Sequence, residues 1–254
     1  MRTGSGRSFE NHWDADGARW PSARLERAPK DSRARRLSLA AMPHRDGDTA
    51  APDAGPRGTA RPATIVATAL GLPDVYLLRS RRFPDERGHF QELSRTDVLA
   101  EITGYPVRLE QVNISVSHRG VIRGIHVVAS APGQSKLVTC VRGSIIDIAV
   151  DLRVGSPTFG QFELVALDER MAAGVYLGPG VGHAFVATAE DTRVLYQCST
   201  LYTPGSELAV NVLDPALGLP LTTGFEPILS ENDRGAATLA ELLDQDLLPH
   251  YRPR

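Results

Sequence analysis

The sequence predicts a mainly β protein, an antiparallel sandwich or barrel with a few short helices. Three observations predict it. Beyond residue 62, short apolar runs recur about every ten residues, separated by Gly and Pro. One of them, 145–152, alternates residue by residue, the two-residue period of a strand. No Gly-x-Gly-x-x-Gly or P-loop motif follows any of them, so the pattern is not that of a βαβ nucleotide fold.

Residues 1–62 hold 12 basic and 8 acidic side chains among Ala, Gly, Pro and Ser, without a sustained period. They read as a disordered or non-native extension. Trp13 and Trp20 both fall there, and Met42 is an alternative start. From Ile65 the texture becomes β-like. The run 75–78 leads to a turn over 83–88, Phe-Pro-Asp-Glu-Arg-Gly. A helix is expected over 97–103, with Val98, Leu99 and Ile102 inward, Thr96 as cap and Gly104 as stop. Strands follow at 109–117, 120–128 and 137–141, the last stopped by Gly143. In 145–152 the alternation is clearest: Ile146, Ile148, Val150 and Leu152 point one way, Asp147, Ala149 and Asp151 the other. Runs 162–167 and 174–177 precede the turn Gly178-Pro179-Gly180, and 194–199 and 208–213 complete the β set. Thr238-x-x-Glu241 has capping-box spacing, and Leu239, Leu242, Leu243 and Leu247 would form one side of a second helix. The folded domain is therefore 63–254.

Composition narrows the function. Residues 63–254 carry 16 basic and 22 acidic side chains, which is not a nucleic-acid footprint. No apolar run approaches the ~20 residues that span a bilayer, and the Arg-rich start lacks the apolar centre of a secretory signal. Neither nucleic acid nor membrane is expected as a partner. Cys140 and Cys198, the only cysteines, lie in β-like runs and suit a reducing cytoplasm.

The chain has 28 Lys and Arg residues, of which only Lys30 and Lys136 are lysines. Lys136 stands in the middle of the β region, where a compact cation can hold a developing oxyanion. It belongs to a candidate set with His126, His183, Tyr196, Tyr202, Asp233, Arg87 and Arg123. A metal centre built on a His-x-His pair would need His at 128, where Val128 stands, and Lys136 would repel a divalent ion. No Gly-x-Ser-x-Gly marks a hydrolase nucleophile. Acid–base chemistry suits the set best. A His paired with a carboxylate removes a proton beside a carbonyl, a Tyr returns one, and a Lys steadies the enolate between.

Eight segments then resemble one family. They are Phe83-x-Asp85-Glu86-Arg87-Gly88-x-Phe90-x-Glu92, Gln111-x-Asn113-x-Ser115, Gly120-Val-Ile-Arg123-Gly-Ile-His126, Gln134-x-Lys136-Leu-Val, Asp147-x-Ala-Val-Asp151-Leu-Arg153, Ser156-Pro-Thr-Phe-Gly160, Gly182-His183-Ala-Phe185 and Tyr196-x-Cys-x-x-x-Tyr202-x-Pro204. In order and spacing, over about residues 70 to 235, they resemble the dTDP-4-dehydrorhamnose 3,5-epimerase family. The resemblance implies a cupin-like jelly roll, a homodimer, and no metal or organic cofactor. It implies a thymidine-diphosphate 4-keto-6-deoxyhexose as substrate. His126 would be the base, Asp233 its dyad partner, Tyr196 the acid on the opposite face, and Lys136 the enolate stabiliser. His183 and Tyr202 would line the sugar pocket. Arg123 would grip the diphosphate, and Gln111 and Asn113 would contact nucleotide or sugar. Phe83, Arg87, Phe90 and Glu92 would reach the nucleotide, in some members across the dimer interface. Asp147, Asp151, Arg153 and Gly160 read as turn and interface residues.

The chain departs from the family pattern at Val127-Val128, where many members have Tyr-Gln, and at Val212-Leu213-Asp214-Pro215 and Leu219-Pro220, where aromatic residues are usual. These changes resemble the antibiotic deoxysugar branch and leave open whether C3, C5 or both are inverted. Two other readings stay open here, a 3,4-ketoisomerase on a related fold and a non-catalytic module that binds a nucleotide sugar.

Overall fold

In the computed structural model residues 64–221 and 226–253 are described; the extension 1–62, with Trp13, Trp20 and Met42, lies outside them. The chain runs β1 (Ile65–Ala69), β2 (Val75–Ser80), β3 (Arg82–Asp85), β4 (Gly88–Gln91), α1 (Thr96–Thr103), β5 (Gln111–Ser117), β6 (Ile122–Val128), β7 (Lys136–Arg142), β8 (Ser144–Asp151), β9 (Phe162–Asp168), β10 (Ala173–Leu177), β11 (Val181–Ala187), β12 (Thr192–Cys198), β13 (Glu207–Ala209), α2 (Glu231–Arg234) and α3 (Leu239–Asp244). Two sheets pack face to face, one ordered β1-β2-β10-β7-β12-β5 and the other β13-β6-β11-β8-β9. All their strand pairs are antiparallel. This is the expected jelly-roll sandwich.

The core between the sheets joins Val138, Cys140, Val175 and Val194 of the first to Ile145, Ala149, Phe185 and Ala187 of the second. A second apolar layer lies behind the five-stranded sheet. There Ile122, Val127, Ile148, Val150 and Leu152 meet Leu217, Leu242 and Leu248 from the C-terminal segment. The five-stranded sheet is thus covered on both faces, and every residue of β11 is buried. A strand covered on both faces shows no alternation, so β11 is absent from the sequence prediction. On the outer face of the six-stranded sheet, Leu99 of α1 and Val107 pack on Leu78, Leu137 and Tyr176.

Several expectations need correction. The 83–88 turn is part of a complete hairpin, β3 with β4, including a Phe83↔Phe90 pair. Thr96 already belongs to α1, and its N-cap, Arg95, makes no side-chain cap bond; Gly104 ends it as expected, at φ 76°. The Thr238–Glu241 capping box forms with both of its bonds. Of the four leucines assigned to one inward side, Leu242 is buried, whereas Leu243 and Leu247 are exposed; Leu248 takes the inward place. Asp151 and Arg153, expected as turn and interface residues, form a buried knot. Arg153 donates from Nε to Asp151 Oδ1 (2.8 Å), from Nη1 to Asp74 Oδ2 (2.8 Å) and from Nη2 to the Pro73 carbonyl (2.8 Å). Ser156 and Thr158 also donate to Asp151 Oδ2, at 2.5 Å each. The knot ties the end of β8 to the turn before β2.

Candidate active site

A cavity of about 570 Å³ opens between the sheets. One wall is the six-stranded sheet. Alternation along β5 turns Gln111, Asn113 and Ser115 inward, and the pairings Tyr196↔Asn113, Cys198↔Gln111 and Cys198↔Lys136 put Tyr196, Cys198 and Lys136 on the same face. The opposite wall is β6 and β11, with Arg123, His126, His183 and Phe185.

Arg123 and His126 are three residues apart, so a regular strand would send them to opposite faces. The register resolves this. His183 pairs with His126 and Phe185 with Arg123, so two steps on β11 match three on β6. The extra residue is a β-bulge, which re-aims the side chains beyond it. Gly124 sits inside it at φ 103°, and a Cβ there would lie 2.3 Å from the His183 carbonyl oxygen. Only Gly fits that conformation and that approach.

His126 Nε2 donates to Asp233 Oδ1 at 2.6 Å. That bond fixes the ring proton on Nε2 and leaves the Nδ1 lone pair as the basic site. Asp233 comes from α2, a short helix that the sequence reading did not anticipate. Ser230 caps it by accepting from the Asp233 backbone N–H, and the segment is pinned to the sandwich by the bridges Val121↔Ile228 and Val210↔Ala237. A second dyad stands beside the first, for His183 Nε2 donates to Asp147 Oδ1 at 2.7 Å. Asp147 is therefore a buried support of a cavity histidine, not the turn or interface residue expected.

Tyr196 faces these histidines from the other sheet. Its ring meets His183 edge-on at 6.0 Å between centroids, and its hydroxyl is hydrogen bonded to Ser115 Oγ at 2.9 Å. Burial drives its pKa well above the ordinary tyrosine value, although the Ser115 bond and the nearby Arg123 charge oppose the shift. The phenol is thus held protonated. Burial likewise raises the Cys198 thiol, against the pull of Lys136.

Lys136 Nζ lies 3.1 Å from Glu207 Oε1, and Glu207 Oε2 lies 3.9 Å from His126 Nδ1. Glu207 is the main residue that sequence reasoning missed. The signal available was its position three residues beyond Pro204, at the start of a short strand. At the cavity edge Arg123 donates to Ser117 Oγ and to the Val116 carbonyl, both at 3.1 Å, which orients its guanidinium along the rim. Tyr202, mostly exposed, hangs over the opening, its backbone N–H donating to Gln111 Oε1 at 2.7 Å. Asn232 and Ser230 also line the site.

Phe83, Arg87, Phe90 and Glu92 are not brought into this cavity. Phe83 and Phe90 stack at 6.4 Å on the exposed hairpin, Arg87 pairs with Asp85, and Glu92 accepts from Thr64 at the hairpin base. Among the described residues no group of three or more His, Cys, Asp or Glu is gathered as a metal-holding set, and no helix is long and apolar enough to cross a membrane.

A model of the family described as dTDP-4-dehydrorhamnose 3,5-epimerase matches residues 69–241. A dTDP-4-dehydrorhamnose 3-epimerase from Streptomyces niveus is 46% identical over 182 residues, covering 72% of this chain and 87% of the relative. The crystal structure of NovW, a 4-keto-6-deoxy sugar epimerase from the novobiocin cluster of Streptomyces spheroides, superposes with TM-score 0.72 at 43% identity, over 77% of this chain and 98% of that one. ChmJ, a 3'-monoepimerase from Streptomyces bikiniensis solved with dTDP-quinovose, matches with TM-score 0.70 at 41% identity, over 72% of this chain and 92% of that one.

Proposed function

Because this chain belongs to the dTDP-4-dehydrorhamnose 3,5-epimerase family, and so to the isomerases, we propose that it inverts C3, C5 or both of a dTDP-4-keto-6-deoxyhexose by His126/Tyr196 acid–base catalysis. The observation that carries this reading is the opposition of the two rings. A carboxylate-backed imidazole projects from one sheet, and a phenol kept protonated by burial projects from the other, into one cavity.

The chemistry follows from those positions. The C–H bond beside the ketone breaks, its proton passes to His126 Nδ1, and its electron pair becomes the enolate with charge on the ketone oxygen. Lys136 Nζ holds that oxygen. Tyr196 gives its hydroxyl proton to the same carbon from the other face, which inverts it. The imidazolium then loses its proton to solvent and the tyrosinate regains one. Proton transfer creates a cation and an anion together, and each arises beside an opposite fixed charge: Asp233 and Glu207 for the imidazolium, Lys136 for the enolate. Preorganised charges of this kind lower a barrier by several kcal/mol. Arg123 at the rim suits the diphosphate, with a fork that matches phosphate oxygens, while His183 and Tyr202 flank the sugar.

The active form we propose is a homodimer in the cytoplasm. Edge strand β5 presents Val112, Ile114 and Val116 outward, each more than half exposed, and the β3–β4 hairpin presents Phe83 and Phe90. Both are apolar surfaces that a second copy would cover, and the crossing would carry Phe83, Arg87, Phe90 and Glu92 toward the partner's nucleotide. The unpaired buried thiols Cys140 and Cys198 suit a reducing compartment. The test is proton exchange in heavy water with a dTDP-4-keto-6-deoxyhexose, followed by NMR. Deuterium at C3 or C5 with inversion supports the reading. No incorporation at either carbon rejects it, and migration of the carbonyl to C3 would identify a ketoisomerase instead.

A further inference from the structure

Inverting C3 and inverting C5 make different demands on one site. The two carbons flank C4, so a single fixed base and a single fixed phenol can serve both only if the sugar turns about its ketone between the two events. What surrounds the sugar at the cavity mouth decides whether that turn is permitted. The loop 199–206 between β12 and β13 brings Tyr202 to the cavity lining. Residues 201–205 are exposed, and the loop has no apolar anchor: Leu201 and Tyr202 are 63% and 61% exposed.

The loop is held instead by polar bonds from the cavity wall. Gln134 Nε2 donates to the Thr200 carbonyl and to Thr200 Oγ1, both at 3.1 Å. Ser135 N–H donates to Ser199 Oγ at 2.9 Å, and Gln111 Oε1 accepts from Tyr202 N–H at 2.7 Å. The far end of the loop leads directly into Glu207, which grips Lys136. Both donors of the Gln134 amide are spent on Thr200, although its side chain lines the cavity. Its amide donors therefore serve the loop rather than a ligand.

We propose that Gln134 is a specificity-determining positioning residue: by clamping Thr200 it holds the loop and Tyr202 across the cavity mouth, restricts rotation of the sugar, and so sets the ratio of C3 to C5 inversion. This rests on the epimerase reading above. The test compares the full chain with Gln134→Leu, which has no donor, and Gln134→Glu, which can still accept from the Thr200 hydroxyl. Two quantities are read: amide hydrogen exchange over residues 200–206 without substrate, and the rates of deuterium entry at C3 and C5 of a dTDP-4-keto-6-deoxyhexose. In Gln134→Leu the loop amides should exchange about tenfold faster, the loss of one or two neutral hydrogen bonds. The C3-to-C5 ratio should move by about fivefold or more toward the carbon disfavoured in the unaltered protein, with Gln134→Glu between. Thr200→Val, which removes half the clamp, should move the ratio the same way by less.

Unchanged loop exchange would overturn the clamp. Equal loss of rate at both carbons, or an unmoved ratio over a loosened loop, would overturn its role in selectivity while leaving the epimerase intact. No deuterium entry in the unaltered protein would overturn the epimerase reading and this one with it.

Discussion

Lys136 and Glu207 form an ion pair inside the cavity, 3.1 Å from Nζ to Oε1, and the other oxygen of the same carboxylate stands 3.9 Å from His126 Nδ1. One side chain thus touches both the proposed base and the cation proposed for the enolate. Before substrate arrives, it balances the ammonium. In the proposed mechanism proton removal would draw the ammonium toward the new oxyanion and give the carboxylate an imidazolium neighbour. Lys136→Met should therefore lower kcat by about 10²–10³-fold. Glu207→Gln should lower it by about 10-fold or more, with KM changed less than kcat, because the lost attraction belongs to the charged intermediate. Steady-state kinetics of both variants check this.

Removing the imidazole, His126→Ala, should reduce turnover by about 10³–10⁴-fold. Asp233→Asn leaves the shape but offers an amide N–H to Nε2, which favours the wrong tautomer. It should cost about 10²-fold or more, with substrate binding, read by calorimetry, largely kept.

For Tyr196 the expected outcome is qualitative as well as quantitative. Tyr196→Phe should lower inversion by about 10²-fold or more, yet deuterium should still enter the substrate with its configuration retained, since His126 can return a deuteron to the face it emptied. Burial raises this phenol above its ordinary value near ~10. It therefore stays protonated through neutral pH, and the basic side of the pH–rate profile should show no fall assignable to it below about pH 10.

Stability should respond to acid through Asp151. Burial alone would raise its pKa, but the bonds from Arg153, Ser156 and Thr158 outweigh burial and hold it below the ordinary carboxylate value. A carboxylate depressed in the folded state stabilises that state above its unfolded value of ~3.9. The contribution fades as pH falls below that value and through the folded one. Thermal melts from pH 7 to pH 3 should therefore show a steep acid decline that flattens in Asp151→Asn. Asp151→Ala, which strands the buried Arg153, should cost about 3–5 kcal/mol at neutral pH, measured by denaturant unfolding.

Much of this was legible in the residues. Alternation in 145–152 reports a strand, and Thr238-x-x-Glu241 reports a helix start, because each signal is local. The spaced segments around His126, Lys136, Tyr196 and Asp233 indicated a shared pocket, and the fold brings those four to one cavity. What escaped depends on the third dimension. The strand Val181–Ala187 is covered on both faces and so carries no period. Asp147 lies on the polar side of a clear alternation, and only the packing shows that this side is buried beneath His183. The common orientation of Arg123 and His126 needs a bulge that residue spacing cannot announce, although Gly124 marks its place. Glu207 earned no notice because a single carboxylate after a Pro-Gly loop looks like surface. Phe83, Arg87, Phe90 and Glu92 do not line the cavity, because the hairpin and the residue after it pack elsewhere on the sandwich.

His126 and the carboxylate of Asp233 are separated by 107 positions in the chain. His126 takes its place within the sandwich, but Asp233 rides on a segment that follows the last strand and is pinned by isolated bridges at Ile228 and Ala237. His126 therefore gains its partner only when the segment after the last strand packs against the sandwich. A chain lacking residues 226–253 would keep every strand yet strip His126 of Asp233 and the outer core layer of Leu242 and Leu248, so one segment serves both the dyad and the packing.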